Sequence, residues 1–412
     1  MAIPFFSIDM SKREWSSFVG GLANHWGWFG RPSSNLAVNL ERRFPDHQVL
    51  LLSSARLGYY LLLKSSFRPG DEIIFSAMSF PLYVKIAIQI GLRPVFVDVD
   101  PEHLNINPEN LRQAITDKTR AIVVTHLFGH PAEINEVMSI ANEYGIRVIE
   151  DCAQAFDSFY GEQETGTFGW TGIYSCSLMK VPTTLGGGIL VTKDIETAAK
   201  IKLLLGELKS STGFSASLSY HLKGLISILN SYPLLYTLLS HQVFGLIKKR
   251  NPELLRAILY SGMGMNKEKY DPGERPGLAP YQHEVGAVQF ARAREMTEAR
   301  RRNSTILDEA LSSHKDVTVL RESTGVYWNY QYHVINLGAS MNRVFDTMFS
   351  RGIHVMKEDV WDCTAYKFPQ AEKFHCEVAS TRNSGLLRIP NNSVMSEKKM
   401  IRIASSLLEV LG

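Results

Sequence analysis

The sequence predicts an α/β fold in which a mostly parallel sheet of seven strands is flanked by helices and a smaller C-terminal α/β domain follows. Three observations lead to this prediction. Short β-branched runs alternate with longer amphipathic stretches from about Val49 onward, which is typical of βαβ units. The runs are almost continuously apolar, as expected of strands covered on both faces. A chain of 412 residues is also too long for one small core, which indicates a large and a smaller domain.

The strands of the large sheet are predicted from these apolar runs, in the order Val49–Leu52, Glu72–Phe75, Pro94–Val97, Ala121–Val124, Arg147–Ile149, Gly172–Cys176 and Gly188–Val191. Amphipathic spacing predicts helices between the first five of them, at Leu57–Lys64, Leu82–Ile90, Pro108–Ile115 and Glu133–Tyr144. Asn107 before Pro108 is a good helix start, because asparagine caps the helix and proline suits its first turn. Ligands of such sheets bind beyond the carboxyl ends of the strands, so the residues after each strand are the candidates for a site.

The C-terminal part of the chain is predicted to form the smaller domain. A long helical pattern begins near Val285, and a last amphipathic helix is predicted over Glu397–Leu411. We therefore assign residues 1–284 to an N-terminal segment and the large domain, which includes an apolar helical insertion over 210–275. Residues 285–412 form the small domain.

Composition narrows the class of protein. The net charge of +3 predicts no general attraction to nucleic acid. The four cysteines are scattered and have neither metal-binding nor redox spacing, so no metal site is predicted. The N-terminal residues MAIPFFSIDMSKREW lack the basic region and long apolar run of an export signal. We therefore expect a protein of the cytoplasm.

A turn rich in small residues, Ser53-Ser54-Ala55-Arg56, follows the first predicted strand and opens a helix. Free amides at a helix start suit a phosphate group. A simple helix cap is the more frequent role of such a turn. After the second strand, Phe80 is in a position to stack on a flat ligand, and the alternative is a phenylalanine of the core.

Asp151 ends the fifth predicted strand. A carboxylate on a buried apolar strand needs a partner, because an unpaired buried charge is costly. A cationic ring nitrogen would be such a partner, and a helix cap is the alternative.

Lys180 lies between an apolar strand and the triple glycine Gly186-Gly187-Gly188. We expect this lysine to be shielded from water, as a lysine that forms a Schiff base must be. Glycines let the backbone pass close to a ligand. Ser175, at the end of the preceding strand, is a candidate phosphate donor.

The order and spacing of these residues resemble the DegT/StrS-type sugar aminotransferases, which are pyridoxal-phosphate enzymes with the aspartate-aminotransferase fold. The resemblance covers almost the whole chain, from WGWFG to LLRIPNN, and rests on the segments GDEIIFSAMSF, GLRPVFVDVD, TRAIVVTHLFGHPAEINEV, RVIEDCAQAF, GTFGWTGIYSCSLMK and GGGILVT. It implies pyridoxal phosphate as the cofactor. It also implies a homodimer, in which each site lies at a subunit interface.

The resemblance also implies roles for individual residues. Lys180 resembles the Schiff-base lysine, and Asp151 resembles the partner of the pyridine nitrogen. Gln154 resembles the residue near the phenolic oxygen of the cofactor, and Phe80 the ring that stacks on its face. Ser175 and the Ser54–Ala55 turn resemble the phosphate cup.

The chain departs from the family pattern at four places. The phosphate turn has lost a hydroxyl, since it reads Ser-Ser-Ala instead of Ser-Gly-Thr, and Arg56 is a candidate to compensate. Trp170 stands where the family has an aspartate. Leu278-Ala279-Pro280-Tyr281 stands in place of a Tyr-Asn-x-Arg stretch that reaches the neighbouring subunit. The fourth departure is the insertion.

The predicted activity is transfer of an amino group from an amino acid, glutamate being typical of the family, to a nucleotide- or lipid-linked keto sugar. Two alternatives remain open. One is a sugar dehydratase of the same fold, although such relatives typically have histidine in place of the lysine. The other is a non-catalytic relative that binds a partner or a membrane.

The insertion contains a stretch without charge, Gly224–Ile247, which Lys248-Lys249-Arg250 follows directly. It is long enough to cross a bilayer of ~30 Å, but polar residues and Pro233 interrupt it. Two short helices that lie in the membrane interface fit the pattern better. The sequence leaves open whether residues 224–250 contact a membrane or the other subunit.

Overall fold

The computed structural model describes residues 1–23, 36–208, 222, 224–259, 269–272, 277–368, 371–374 and 376–412. The WGWFG segment of the family resemblance, Lys223 and parts of the 210–275 insertion lie outside these residues.

Strands of three sheets are described, and they run in chain order as β1 Gln48–Leu52, β2 Glu72–Ser76, β3 Arg93–Val97, β4 Thr119–Thr125, β5 Arg147–Asp151, β6 Phe159–Tyr160, β7 Gln163–Glu164, β8 Thr171–Ser175, β9 Gly188–Thr192, β10 Thr318–Val319, β11 Val326–Tyr327, β12 His333–Asn336, β13 Met356–Lys357, β14 Glu372–Phe374 and β15 Leu386–Ile389.

The helices are α1 Lys12–Ala23, α2 Leu36–Arg43, α3 Ala55–Ser66, α4 Pro81–Ile90, α5 Pro108–Ala114, α6 Ile134–Tyr144, α7 Ile195–Glu207, α8 His241–Arg250, α9 Pro252–Leu259, α10 Pro280–Ala291, α11 Ala293–Leu311, α12 Met341–Ser350, α13 Glu377–Asn383 and α14 Glu397–Leu411. Residues 224–229 are also helical, and a short helix at Pro233–Leu235 and a π-turn at Tyr236–Ser240 lead into α8.

The large sheet has the strand order β1-β9-β8-β5-β4-β2-β3-β14. The pairs from β8 to β14 are parallel, whereas β9 is antiparallel to both β8 and β1. The α/β fold with a mostly parallel sheet is therefore confirmed. The predicted number of seven strands is wrong, because β14 adds an eighth strand beside β3. This strand comes from the C-terminal part of the chain, which no local pattern connects to the large sheet.

The helix starts follow the predicted chemistry. The side chain of Asn107 accepts hydrogen bonds from the amides of Glu109 and Asn110 and so caps α5, with Pro108 in its first turn. Asp194 caps α7 in the same way. The helices pack on both faces of the sheet, and strands β2 and β4 are almost wholly buried between them.

The smaller unit is built around the antiparallel sheet β10-β12-β15-β13. Helices α11, α12 and α14 pack on it and share one apolar core with its strands. The division of the chain at residue 285 stays a proposal. The third sheet, β11-β6-β7, joins strands from both sides of that boundary.

The insertion packs on the small unit. Tyr236 and His241 are hydrogen-bonded to the two ring nitrogens of His354, at 2.6 and 2.8 Å. Lys248 forms an ion pair with Asp346 at 2.7 Å. In the described part of the chain, we find no helix that is both long and apolar enough to span a bilayer.

Candidate active site

The residues predicted to form the site meet at one edge of the large sheet. In the register of the strands, Asp151 of β5 lies beside Ile173 of β8, and Ser175 lies beside Gly188 of β9. Gly188 in turn lies beside Leu52, the last residue of β1. Asp151, Ser175 and the turn after Leu52 therefore belong to the same rim of the sheet.

Lys180 lies in the loop after β8 and is half-buried. Its Nζ donates a hydrogen bond to the hydroxyl of Tyr332 at 3.1 Å. The side chain of Gln331 holds the backbone on both sides of the lysine. Its Oε1 accepts from the amide of Val181 at 3.2 Å, and its Nε2 donates to the carbonyl of Met179 at 3.0 Å. The small unit thus positions the lysine of the large sheet.

Tyr332 contacts two cations, Lys180 through its hydroxyl and Arg388 through its ring. The Arg388 guanidinium lies 4.0 Å from the centre of its ring and pairs with the buried carboxylate of Glu358 at 3.0 Å. Burial acts to raise the pKa of Tyr332, but the charges of Lys180 and Arg388 outweigh it, and the net shift is downward. The phenol beside Lys180 Nζ is therefore a better acid than an ordinary tyrosine.

Asp151 is almost completely buried at the end of β5. Burial raises the pKa of its carboxyl to about 6, although a hydrogen bond from the Ala153 amide at 3.0 Å and the charge of Lys180 act to lower it. Asp151 forms no ion pair with any residue that the structure describes. A cationic ligand group at this carboxylate would compensate for its desolvation, so the site fits the ring nitrogen of pyridoxal phosphate.

Gln154 follows Asp151 and holds a tight turn after β4. Its Oε1 accepts a hydrogen bond from the amide of Phe128 at 3.0 Å. Gly129 next to it has a φ of +90°, and a Cβ there would lie 2.0 Å from Oδ1 of Asn329. Only glycine fits this position, because a side chain there would collide with Asn329 and with the backbone of Gln154.

Phe80 lies directly before α4 and is half-buried. Its ring contacts the edge of Tyr83 at 5.3 Å between centroids and lies 6.3 Å from Trp361. Phe80 therefore borders two apolar clusters and keeps part of its ring exposed. This position is compatible both with the stacking role and with the core alternative.

The turn after β1 is a helix cap, as the more frequent interpretation had it. Ser54 Oγ accepts from the amide of Leu57 at 3.1 Å and caps α3. The backbone of β9 passes so close that a Cβ on Gly188 would lie 2.2 Å from the amide nitrogen of Ala55. The Ser54 side chain accepts from the Leu57 amide, and the amides of Ala55 and Arg56 in the first turn of α3 have no acceptor within the helix.

Tyr270 was not predicted from the sequence, although it borders this turn. Its backbone is held by both ends of the Gln89 amide, at 2.8 and 2.9 Å. Burial raises the pKa of Tyr270 to about 12, against a hydrogen bond with Ser54 and the charge of Arg56, which lower it. Tyr270 comes from the insertion, which the family resemblance does not cover, so no motif pointed to it.

Arg300 is the second unpredicted residue. It lies on α11, is only 2% exposed, and lines a cavity together with Lys180 and Tyr332. A signal for it existed in the sequence, because Arg300 shares the buried stripe of α11 with Met296 and Leu307. An arginine on an apolar stripe is a candidate functional residue, because arginine is rarely buried without a partner.

A buried polar cluster lies just behind the site. The described residues place a nitrogen of His126, a carboxylate oxygen of Glu150 and the sulfur of Cys152 within 4.8 Å of one another. The Glu150 carboxylate accepts from His126 and from the amides of Gly166, Phe168 and Gly169, all between 2.7 and 3.1 Å. The cluster thus anchors the loop between β7 and β8.

Comparison with known proteins relates this geometry to a family. Residues 11–216 match the model of the DegT/DnrJ/EryC1/StrS aminotransferase family. An uncharacterized protein of Methanocaldococcus jannaschii is 32% identical over 203 residues. That match covers 49% of this chain and 53% of the relative, so the alignment spans about half of each protein.

Solved structures of aminotransferase-fold proteins match over nearly the whole chain. The aminotransferase TlmJ of Streptoalloteichus hindustanus superposes with a TM-score of 0.78 at 19% identity, covering 100% of this chain and 99% of that one. The GDP-4-keto-6-deoxy-D-mannose-3-dehydratase of E. coli, solved with bound hydrated pyridoxal phosphate, superposes with a TM-score of 0.75 at 18% identity, covering 99% and 100%. At these identities the similarity shows the fold.

Proposed function

Because this chain belongs to the DegT/DnrJ/EryC1/StrS aminotransferase family, whose members depend on pyridoxal phosphate, we propose that it transfers an amino group from an amino acid to a keto sugar. The observation that carries this proposal is that Lys180 lies close enough to the buried Asp151, at one rim of the sheet, for its charge to act on that carboxyl. A reactive amine and a buried carboxylate without an ion-pair partner are the two groups that this cofactor requires at its opposite ends.

When bound, pyridoxal phosphate supplies a ring that accepts electrons while an amino group passes from one carbon atom to another. Lys180 would hold the cofactor covalently. Asp151 would keep its ring nitrogen protonated, because an anionic carboxylate favours the cationic form. Phe80 would cover the ring, and Gln154 would lie near its phenolic oxygen.

The phosphate would bind at the start of α3. The first amides of this helix and the helix dipole favour an anion, and Ser175 lies on the same rim. Arg56 and Tyr270 lie beside the turn that has lost one hydroxyl, and both offer donors to a phosphate.

Proton transfer is assigned to the Lys180 amine, acting as general base and acid. The hydrogen bond to Tyr332 orients its Nζ, and the charges of Lys180 and Arg388 lower the pKa of that phenol. The Arg388–Glu358 ion pair holds Tyr332 in place.

A sugar dehydratase is the second candidate, since the E. coli dehydratase has the same fold. Lys180 favours the aminotransferase, because typical dehydratases of this fold have lost the lysine. The test is to incubate the purified, cofactor-loaded protein with L-glutamate and nucleotide-linked keto sugars, and to analyse the sugars by mass spectrometry. We expect an amine in place of the keto oxygen, with one 2-oxoglutarate formed per sugar. Loss of a hydroxyl would support the dehydratase, and no product with any donor would support the non-catalytic alternative.

We further propose that the insertion attaches the protein to the cytoplasmic face of a membrane and that its sugar substrate is lipid-linked or delivered there. The outward side of the insertion supports this proposal. Leu239, Val243 and Leu246 follow helical spacing and are 61%, 51% and 58% exposed. An ordinary surface helix turns its apolar side inward, whereas here this side faces out.

Charge favours an anionic lipid surface as the partner of this stripe. Lys249 and Arg250 are exposed at the end of α8, on the same side as Leu246. The stretch from Gly224 to Ile247 has no acidic residue to repel lipid phosphates. Each basic residue near such a surface contributes about 1 kcal/mol of binding free energy.

A further inference from the structure

A small cavity opens beside Lys180. Its walls come from the N-terminal segment around Phe6, from the Lys180 loop, from α11 through Arg300, and from Asn391 and Asn392 after β15. The cavity thus lies where the large sheet and the small unit meet, next to the amine to which the proposed function assigns the chemistry.

Two hydrogen-bond donors of this cavity lack an acceptor. Arg300 donates from Nε to the carbonyl of Asn329 at 3.0 Å and from Nη2 to Thr297 at 3.1 Å. Its Nη1 is buried and has no partner among the described residues. The same holds for the side-chain nitrogen of Asn392. An unfilled donor in a buried place costs free energy, so both point to an acceptor that a ligand brings.

Arg300 also has no carboxylate within ion-pair distance among the described residues, and Asp157 and Asp9 act on its charge only from farther away. Arg388 in the same cavity has the carboxylate of Glu358 at 3.0 Å, and Arg301 pairs with Glu322. Arg300 forms no ion pair with the residues that the structure describes. A guanidinium that is 2% exposed is costly to bury without a counter-charge, so the missing acceptor is best an anion.

Resting on the proposed function, we propose that Arg300 and Asn392 bind the α-carboxylate of the amino donor. This carboxylate is attached to the carbon atom that gives up the amino group, so its binding site must lie within a few atoms of Lys180. The phosphates of a nucleotide-linked or lipid-linked sugar lie beyond the sugar ring, too far from the reacting carbon for a cavity that Lys180 itself lines. A guanidinium with free N–H groups matches the two oxygens of a carboxylate.

The experiment compares the wild type with Arg300→Met, and uses Arg302→Met as a matched control, because Arg302 is an exposed arginine on the same helix. The cofactor-loaded proteins are titrated with α-methyl-L-glutamate, which has no hydrogen on its α-carbon and therefore cannot turn over. The change in cofactor absorbance gives its dissociation constant. Loss of a charge-assisted hydrogen bond should raise this constant about 10- to 100-fold in Arg300→Met. The control should remain within about twofold, since surface substitutions have small effects.

A second titration identifies which carboxylate is bound. 4-Aminobutyrate keeps the distal carboxylate of glutamate but lacks the α-carboxylate. It should bind equally to the wild type and to Arg300→Met. An equal loss with both compounds would overturn the assignment to the α-carboxylate. Weaker inhibition by inorganic phosphate, with α-methyl-L-glutamate unaffected, would also overturn it in favour of a phosphate site.

Two further measurements separate the possible failures. If Arg300→Met does not fold, Arg300→Lys replaces it in the titration, because lysine keeps the charge but loses the paired N–H geometry of the guanidinium. We expect Arg300→Lys to bind α-methyl-L-glutamate about 10-fold more weakly than the wild type. An unchanged dissociation constant in a folded variant would overturn the inference. If the wild type itself shows no spectral response to glutamate or its α-methyl derivative, the proposed function fails instead.

Discussion

At the scale of single residues, the site combines charges that the large sheet and the small unit bring from different directions. Lys180 and Asp151 come from the loop and strand end of the sheet, and Tyr332 and Arg388 come from the small unit. Burial raises the pKa of Glu358, and its pairing with Arg388 opposes this shift. Arg388 and Glu358 thus balance each other near Lys180, whereas Asp151 and Arg300 have no ion-pair partner among the described residues.

Lys180→Ala should abolish amino transfer while the protein still folds. The variant loses the amine that holds the cofactor and moves the proton, so the rate should fall about 10³-fold or more. Steady-state formation of 2-oxoglutarate from glutamate measures this loss. Lys193→Ala, which changes an exposed lysine after β9, is the control. Turnover of Lys180→Ala near the wild-type rate would show that another residue performs the chemistry.

Asp151→Asn should make the cofactor-free protein more stable above about pH 6. The carboxyl has a pKa of about 6 in the folded protein and near 3.9 in the unfolded chain, so the folded state binds more protons in this range. The wild type therefore loses stability as the pH rises from about 4 to about 6, by up to about 3 kcal/mol, and asparagine removes this loss.

Urea unfolding of both cofactor-free proteins across this pH range is the measurement for Asp151. The cofactor-loaded proteins should show the opposite order, because the loaded wild type gains the ion pair with the ring nitrogen. A constant difference in unfolding free energy across the pH range would mean that Asp151 serves only as a cap.

At the scale of elements, helices α3 and α8 have different roles. Helix α3 begins with the cap at Ser54 and starts at the rim of the large sheet, directly after β1. Helix α8 uses Tyr236 before it and His241 at its start to dock on His354, and the apolar stripe of Leu239, Val243 and Leu246 faces outward. Burial, together with His241 and Lys248, lowers the pKa of His354 to about 3, so His354 itself is neutral near neutral pH.

The outward stripe should carry membrane binding. In flotation with anionic vesicles at low salt, the intact protein should rise with the lipid. The triple variant Leu239→Gln, Val243→Gln, Leu246→Gln should remain at the bottom, because it loses the apolar area that enters the interface. The inward contacts with His354 are untouched, so the variant should fold.

The matched control for flotation replaces three exposed apolar residues elsewhere, at Ile195, Leu203 and Ile401. It should float like the wild type. High salt should weaken the binding of the wild type, because Lys249 and Arg250 act through screened charges. If the wild type stays at the bottom at low salt, the insertion contacts protein, and the other subunit becomes its partner.

At the scale of the whole molecule, we propose a homodimer, as the family resemblance implies. Sedimentation velocity at assay concentration should give twice the mass of one chain. Stability should then depend on protein concentration, since association favours the folded state. The triple variant with glutamine at positions 239, 243 and 246 distinguishes a lipid contact of the outward stripe from a subunit contact. It should remain dimeric if the stripe meets lipid, and it should dissociate if the stripe lies between subunits. An active monomer would contradict the proposal.

The sequence by itself determined the α/β fold, the main strands and the identity of the family. Parallel strands are continuous apolar runs, and the motif residues from Asp151 to Lys180 follow them at short range, so a local pattern contains this information. The cap at Ser54 and the start of α5 at Pro108 are also local, because they depend on neighbouring amides.

The tertiary structure alone decided which distant residues complete the site. Tyr332 reaches Lys180 from 152 positions away, and β14 joins β3 although the rest of the large sheet and several strands of the small unit lie between them in the chain. Such contacts depend on how the packed elements are arranged in space, and the hydrophobic periodicity of a segment does not contain this information. Arg300 shows most clearly what cannot be predicted from the sequence. Its place on a buried stripe is visible in the sequence, but its missing acceptor becomes visible only when the cavity beside Lys180 has formed.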